Sequence, residues 1–313
     1  MLEEMRTVMG LLNAQRVKRG SIDFDLDEAA ITLNPAGKPT DVSIASRGVS
    51  NRMIEEFMLI ANETVAQHVF ELGMPLVYRV HETPDKTKLA DLNTFLNTLG
   101  YGIKNIGNVK PQTFQKILQK AKGTKEENVI SRVVLRSMRK ARYAPECLGH
   151  FGLAAPCYCH FTSPIRRYPD LAIHRILSEM LLGASASQLQ KDFNEFAQQA
   201  SEKSSKQEVA AVRIERDVED LYKAEYMHNH LGEVYTGTVA GITPRGVFVE
   251  LDNTVEGFVP AAQLCKGEPQ VIDGVSMLDP LTGKSWMLGS SMKIQVAAAD
   301  VALGRIDFEY MVE

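Results

Sequence analysis

The sequence predicts an α+β chain of two domains, the second a five-stranded β-barrel, and three observations carry the prediction. Helix-periodic stretches stopped by glycines alternate with short β-prone runs through the first part of the chain. Ser187 to His230 then keeps helical periodicity without one glycine or proline, as one long helix or two stacked pieces. From Gly232 onward the pattern turns to short β-prone runs split by glycines, roughly five strands in about 80 residues, which is the size of an OB-type barrel. The domain boundary is expected near Met227 to Leu231, giving domains 1–228 and 229–313.

Taken in order, Leu2, Met5, Val8, Met9 and Leu12 stand at helical spacing, and Gly20 stops an amphipathic helix. Ser21 to Leu26 alternates polar and apolar residues. Ile31–Leu33 and Val42–Ile44 flank the turn chemistry of Asn34-Pro-Ala-Gly37, a hairpin or small meander. Ser50 is expected to cap a helix over Asn51–Leu72 with one apolar stripe, ended by Gly73 and Pro75. Leu76–Val80 is a buried strand, and Lys86–Leu99 and Pro111–Lys122 are helices stopped by Gly100 and Gly123. The barrel strands are expected at Val234–Val239, Gly246–Leu251, Gly257–Val259, Met292–Ala298 and Arg305–Tyr310.

The 313 residues are 44% hydrophobic and 24% charged, a globular composition that excludes disordered, collagenous and disulfide-scaffold classes. A net charge of -4 gives no long-range pull on a polyanion, so a nucleic-acid site must be a local patch. Lys110 to Arg142 supplies one, with six lysines and four arginines against Glu126 and Glu127, unless it is a solvated helix face. No apolar run approaches the roughly 18 to 20 residues of a membrane helix, and the start lacks the order of a signal peptide, so the expected location is cytoplasmic. Cys147, Cys157 and Cys159 crowd together, with Cys265 apart. They are expected to be reduced thiols, the rival reading being a zinc module with His150 and His160.

The most informative stretch is His160-Phe-Thr-Ser-Pro-Ile-Arg-Arg-Tyr-Pro-Asp-Leu171. Ser163 before Pro164 is expected to start a helix, whose free N–H groups and partial positive charge suit an anion. Arg166 and Arg167 add planar forks for phosphate, and Phe161 and Tyr168 add faces for a base. The alternative is a structural helix start whose arginines pair with carboxylates.

That string resembles the signature of the ribonuclease II and ribonuclease R family of processive, hydrolytic 3′-to-5′ exoribonucleases. Gly20-Ser-Ile-Asp-Phe-Asp-Leu26, Ile54-Glu-Glu-Phe-Met58, His150-Phe-Gly-Leu153 and Glu215-Arg-Asp-Val218 match it too. Residues from Gly232 to Gly257 resemble the RNA-binding OB fold of the ribosomal S-one type. The resemblance implies the C-terminal portion of an RNB-type catalytic domain, then an OB barrel that grips single-stranded RNA. It implies that Arg166 contacts the scissile phosphate, that Phe24 stacks on terminal bases and that Glu215 lies close to the RNA end. In the structural alternative Phe24 is a strand-face residue and Glu215 an exposed helix charge. Tyr235, Phe248 and Phe258 are the barrel's stacking candidates, or else its core, and Arg245 stands where relatives often carry an aromatic.

Family members hold magnesium with four aspartates that lie upstream of the matched residues, and no aspartate precedes Gly20 here. The resemblance therefore implies Mg2+ in the complete enzyme, with ligands outside this chain. An N-terminal fragment or separate chain would supply them, and the chain would be inactive alone. Asp23, Asp25 and Asp27 alternate and could mimic that cluster, but an exposed acidic strand face is the expected reading. The rival function is a noncatalytic single-stranded-RNA-binding or adaptor protein.

Overall fold

The structure, a computed structural model, describes residues 1–22, 28–124, 126–272 and 274–312. The chain opens with helix α1 (Leu2–Arg19), closed by Gly20 at φ 103°, a left-handed conformation that glycine adopts without a Cβ penalty. Strands β1 (Ala29–Leu33) and β2 (Pro39–Ile44) form the expected antiparallel hairpin. Its turn is held by Asn34 Oδ1, which accepts from the N–H groups of Ala36 and Lys38 at 2.9 and 3.0 Å. Helix α2 (Val49–Glu71) is capped at Gly48, not Ser50, because the Asn51 side chain accepts from the Gly48 N–H at 3.1 Å. There follow β3 (Tyr78–Val80), α3 (Lys86–Thr98), α4 (Pro111–Ala121), α5 (Glu127–Ser137), β4 (Arg142–Ala144), α6 (Tyr168–Leu181) and α7 (Ala186–His228). The run without glycine or proline is thus one helix, α7, as its periodicity allows. Among the described residues, no helix is long and apolar enough to cross a membrane.

Two compact units emerge. The first holds residues 1–22, 47–123 and 134–210, and the second the described residues of 28–46, 124–133 and 211–312. In the first, β3 pairs antiparallel with β4, and Tyr78 bridges to Cys159 on the other side. This small sheet is fully covered: Leu76, Val77, Tyr78, Val80, Tyr143 and Ala144 pack with Val69 of α2, Ile173 of α6 and Ala197 of α7. Continuous apolar runs rather than alternation are what a doubly covered strand requires.

Helix α1 departs from its expected amphipathic role. None of its residues is buried, and Leu2, Val8, Leu11 and Val17 are exposed. Of the expected stripe, Met5, Met9 and Leu12 are half-buried, and α1 meets α2 through polar contacts as well. Asn13 and Arg16 donate to the buried Glu56 carboxylate at 2.8 and 2.7 Å, and Arg19 forks onto Glu63 at 2.6 and 2.7 Å. The strand expected over Ser21–Leu26 lies largely outside the described residues, together with Phe24, Asp23, Asp25 and Asp27.

In the second unit, β5 (Val234–Thr243), β6 (Gly246–Leu251), β7 (Glu256–Pro260), the short helix α8 (Ala261–Leu264), β11 (Ser291–Asp300) and β12 (Arg305–Tyr310) build a closed barrel of order β11-β12-β7-β6-β5. Val239, Val247, Val249, Val259, Ile294, Val296 and Phe308 fill it. Between α8 and β11 the chain adds a three-stranded sheet that periodicity did not announce: β8 (Gln270–Ile272), β9 (Ser276–Leu278) and β10 (Ser285–Met287). These strands are only three residues each, too short for an alternating pattern to register. Asp279 organises the following turn by accepting from the N–H groups of Lys266, Gly267 and Leu281 and from the Thr282 hydroxyl.

Gly257 of β7 sits against the ring of the fully buried Phe308, and a Cβ there would come within 2.4 Å of it. The Gly257→Ala chain is expected to lose about 2 kcal/mol by overpacking. Urea unfolding followed by the fluorescence of the single tryptophan, Trp286, which is buried, measures this.

Candidate nucleic-acid interface

The segment between Phe161 and α6 is a turn, not a helix start. Arg166 and Arg167 N–H both return to the Ser163 carbonyl, at 3.3 and 3.0 Å, and α6 begins only at Tyr168, with Arg167 as its cap and Pro169 in its first turn. The reason is Asp170, whose carboxylate is fully buried. It accepts from the Ser163 N–H at 2.8 Å and from the Arg167 fork at 2.9 and 2.7 Å. The anion expected at Ser163 is therefore the chain's own Asp170, and Arg167 follows the structural alternative by pairing with a carboxylate. Arg166 does not. Its side chain is exposed and has no hydrogen-bond or ion-pair partner among the described residues, so a phosphate can approach it.

The turn rests on a buried polar framework. Asn62 of α2 donates to the Tyr158 hydroxyl at 3.1 Å and accepts from the Phe161 N–H at 3.0 Å through Oδ1. Its carbonyl takes the Cys159 S–H at 3.3 Å. His160 shares a hydrogen bond of 2.9 Å with the Tyr143 hydroxyl. Arg79, ion-paired to Glu208 at 2.6 Å, lies 4.7 Å from the centre of the Tyr143 ring. Burial, reinforced by Arg167 and Arg79, drives His160 down to about 2. Burial, with His81 beside it, holds His150 at about 3. Both imidazoles are neutral at ordinary pH.

A cleft of about 490 Å³ runs beside α2, lined by Ser50, Asn51, Ile54, Glu55, Asn62, Tyr158 and Arg167 among others. Tyr168 is exposed and offers a free face, whereas one face of Phe161 is already stacked on His174, with ring centres 4.3 Å apart and planes 9° from parallel. Phe24 lies outside the described residues. Asn62 and Asp170 are the residues that the motif alone did not single out, Asn62 because its contacts reach almost a hundred positions along the chain and Asp170 because its burial is a property of the fold. Three of the ten basic residues of the Lys110–Arg142 stretch are internally paired. Arg132 pairs with Glu250 at 2.6 Å, Arg139 with Asp85 at 3.5 Å and Arg142 with Glu82 at 3.3 Å, so the solvated-face reading accounts for these three.

The second unit carries its own cavity, of about 720 Å³, on the barrel wall. Phe248 and Phe258 face each other across β6 and β7 with ring centres 5.1 Å apart, and Arg245 and Arg305 flank them. Asp220, Glu256 and Asp307 also line it, so stacking rather than net charge is its distinguishing offer. Three of the four barrel residues singled out in the sequence thus share one cavity. Tyr235 is not among its lining residues and donates to Glu233 at 2.6 Å. Glu215 is exposed on the part of α7 that belongs to this unit. Among the described residues, no group of three or more His, Cys, Asp or Glu side chains could hold a metal ion, and all four cysteines are free.

The RNB domain family matches residues 1–183, and the S1 RNA binding domain family matches residues 230–277. The chain is 42% identical over 304 residues to ribonuclease R 1 of Lactococcus lactis, covering 96% of this chain and 37% of that protein. It is 40% identical to ribonuclease R of Aquifex aeolicus, covering 98% of this chain and 44% of the relative. It thus spans less than half the length of these relatives. The apo structure of Mycoplasma genitalium RNase R superposes with a TM-score of 0.92 at 26% identity, over 99% of this chain and 49% of that one. The same protein in complex with ribose-methylated single-stranded RNA gives 0.91 at 25% identity, again over 99% and 49%.

Replacing Asp170 with Ala leaves the Arg167 guanidinium without its buried partner and is expected to cost about 3–5 kcal/mol, read as a lower urea midpoint. Acid should also destabilise the chain. In the unfolded chain the histidines take protons below about pH 6.5, while folded His160 and His150 refuse them until about 2 and 3. Stability is therefore complete above about pH 6.5 and falls as pH drops, each group adding up to about 1.4 kcal/mol per pH unit. The His160→Gln chain should show a shallower decline between about pH 6 and 4 in the same unfolding assay.

Proposed function

Because the chain belongs to the RNB domain family, we propose that it is the RNA-gripping, phosphate-facing portion of a processive 3′-to-5′ exoribonuclease that hydrolyses single-stranded RNA to nucleoside 5′-monophosphates. The observation that carries this reading is Arg166. It is exposed and, among the described residues, without a partner, on a turn that a buried carboxylate and a buried asparagine hold in place. A guanidinium carried on such a turn can stabilise charge that develops on phosphoryl oxygens as a water attacks. Tyr168 and Phe161 then hold bases next to the phosphate, and the Phe248–Phe258 pair gives the barrel a stacking face of its own. Glu215 is assigned to the RNA end by resemblance. Ser163 and Arg167 act by shaping the turn, and Arg245 by contact with the phosphate backbone. Tyr235 is a weaker stacking candidate because Glu233 engages its hydroxyl.

In this reading the catalytic-domain portion ends with α7 after residue 228 and the RNA-binding barrel occupies 229–313. The protein works in the cytoplasm, and the complete enzyme would use a divalent magnesium ion. The described residues do not fit that ion, since no suitable group of ligands exists among them, and the alternating aspartates at 23, 25 and 27 lie outside the description. We therefore assign the magnesium ligands to an aspartate-bearing segment or partner chain, and propose that the 313 residues alone bind RNA without cutting it. The same observation favours a second reading, a noncatalytic single-stranded-RNA-binding protein.

Incubation of 5′-labelled single-stranded RNA with the purified chain and magnesium separates these readings. Binding without a ladder is expected, and a ladder from the chain alone would refute its dependence on a partner. Adding the aspartate-bearing N-terminal part of a ribonuclease R is expected to restore a ladder with the wild-type chain and not with Arg166→Ala. No restoration with either would establish the noncatalytic reading. Phe258→Ala should weaken binding by about 1–3 kcal/mol, the worth of one stacked base.

A further inference from the structure

The loop between β4 and the Phe161 turn folds back on itself as a narrow hairpin. His150 and Ala155 exchange backbone hydrogen bonds of 2.8 and 3.2 Å, and Gly149 takes φ 76°. Cys147 lies three residues before this pair and Cys157 two residues after it, which places the two cysteines across the neck of the hairpin. The Cys147 thiol lies 3.0 Å from the Cys157 sulfur. Cys147 is half-buried and accessible from solvent, whereas Cys157 is buried in the core around Tyr78 and Ala144. The remaining thiols are sequestered: Cys159 is fully buried with its S–H directed to the Asn62 carbonyl at 3.3 Å, and Cys265 is buried in the second unit.

We propose that Cys147 and Cys157 form a redox modification site that closes to a reversible disulfide on exposure to a hydroperoxide. A disulfide needs an S–S separation of about 2.05 Å, so the sulfurs must approach by about 1 Å, a side-chain adjustment. Burial, together with the hydrogen bond and charge of Cys147, pushes the Cys157 thiol up to about 12. The accessible Cys147 is accordingly the attacking thiol and Cys157 the resolving one. The Cys147 thiolate attacks one oxygen of the hydroperoxide, forming an S–O bond as the O–O bond breaks, and the displaced oxygen is protonated. The Cys157 sulfur then attacks the resulting sulfenic acid. The S–S bond forms, the S–O bond breaks, and the departing hydroxide takes the Cys157 proton to leave as water. Two thiols are oxidised by two electrons and the hydroperoxide is reduced by the same two.

Closure would lock the hairpin that hands Gly152 O to the Ile22 N–H at 2.7 Å and Phe151 N–H to the His81 carbonyl at 2.7 Å. It would also fix the start of the segment that Asn62 holds. The oxidised chain should therefore melt at a higher temperature than the reduced one.

The test treats the full chain with hydrogen peroxide, titrates thiols after denaturation and analyses tryptic peptides by mass. Residues Tyr143 to Arg166 form one tryptic peptide containing Cys147, Cys157 and Cys159. The expected result is a fall from four titratable thiols to two, and a peptide lighter by two hydrogens whose fragments place the bond between Cys147 and Cys157. Dithiothreitol should reverse it, Cys147→Ser should abolish it and Cys159→Ser should retain it. Four thiols after peroxide, a bond to Cys159, or Cys147 carried only to the sulfinic acid would each overturn the proposal.

Discussion

The buried carboxylate of Asp170 governs the first unit's candidate site. An unpaired carboxylate with no exposure would be costly, so the chain must bring donors to it, and it brings the Ser163 N–H and both arms of Arg167. Once those bonds form, residues 163–167 have no freedom to extend α6 toward its N-terminus, and the turn projects Ile165 and Arg166 outward. The division of labour between two adjacent arginines follows. One neutralises the internal anion, and its neighbour is left with an uncommitted charge at the surface. Their positions in the motif are consecutive, yet their environments are opposite.

The same logic of internal satisfaction recurs one layer below. Asn62 uses its amide nitrogen, amide oxygen and backbone carbonyl on three different residues of the 158–161 segment, so α2 and the segment leading into the motif are joined by polar contacts inside a largely apolar core. Helix α1 is attached to α2 in a related way, through the Glu56 and Glu63 carboxylates. Such contacts are directional, and they hold relative positions more narrowly than apolar packing of equal area. Burial, with cations nearby, keeps the imidazoles of His150 and His160 neutral, each with a hydrogen-bond partner.

The barrel achieves rigidity differently. Closure removes free strand edges, and a glycine in β7 lets the Phe308 ring lie directly against the backbone. With the interior filled by valines, isoleucines and Phe308, the aromatic pair Phe248 and Phe258 is left only partly buried on the wall. Aromatic faces that are held in place yet solvent-accessible suit single-stranded bases, because every base has a stackable face.

The sequence by itself determined the local elements that follow from periodicity and chain punctuation. These are the hairpin around Asn34 to Gly37, the helical character of the α7 run, the helices stopped at Gly20 and Gly123, and the five barrel strands. It also determined the family, because HFTSPIRRYPDL is a long string whose residue types are read directly. What only the tertiary structure decided was how charges pair across sequence distance: Arg16 with Glu56, Arg132 with Glu250, and Asn62 with residues almost a hundred positions away. A linear pattern reports which face a residue takes along its own element, but not which distant carboxylate meets which cation. That is why the α1 stripe looked like a core face, where a distant carboxylate outweighed the local signal. At Ser163 the competitor is nearer, the carboxylate of Asp170 seven residues on, and only the fold buries it and turns it back onto the Ser163 N–H.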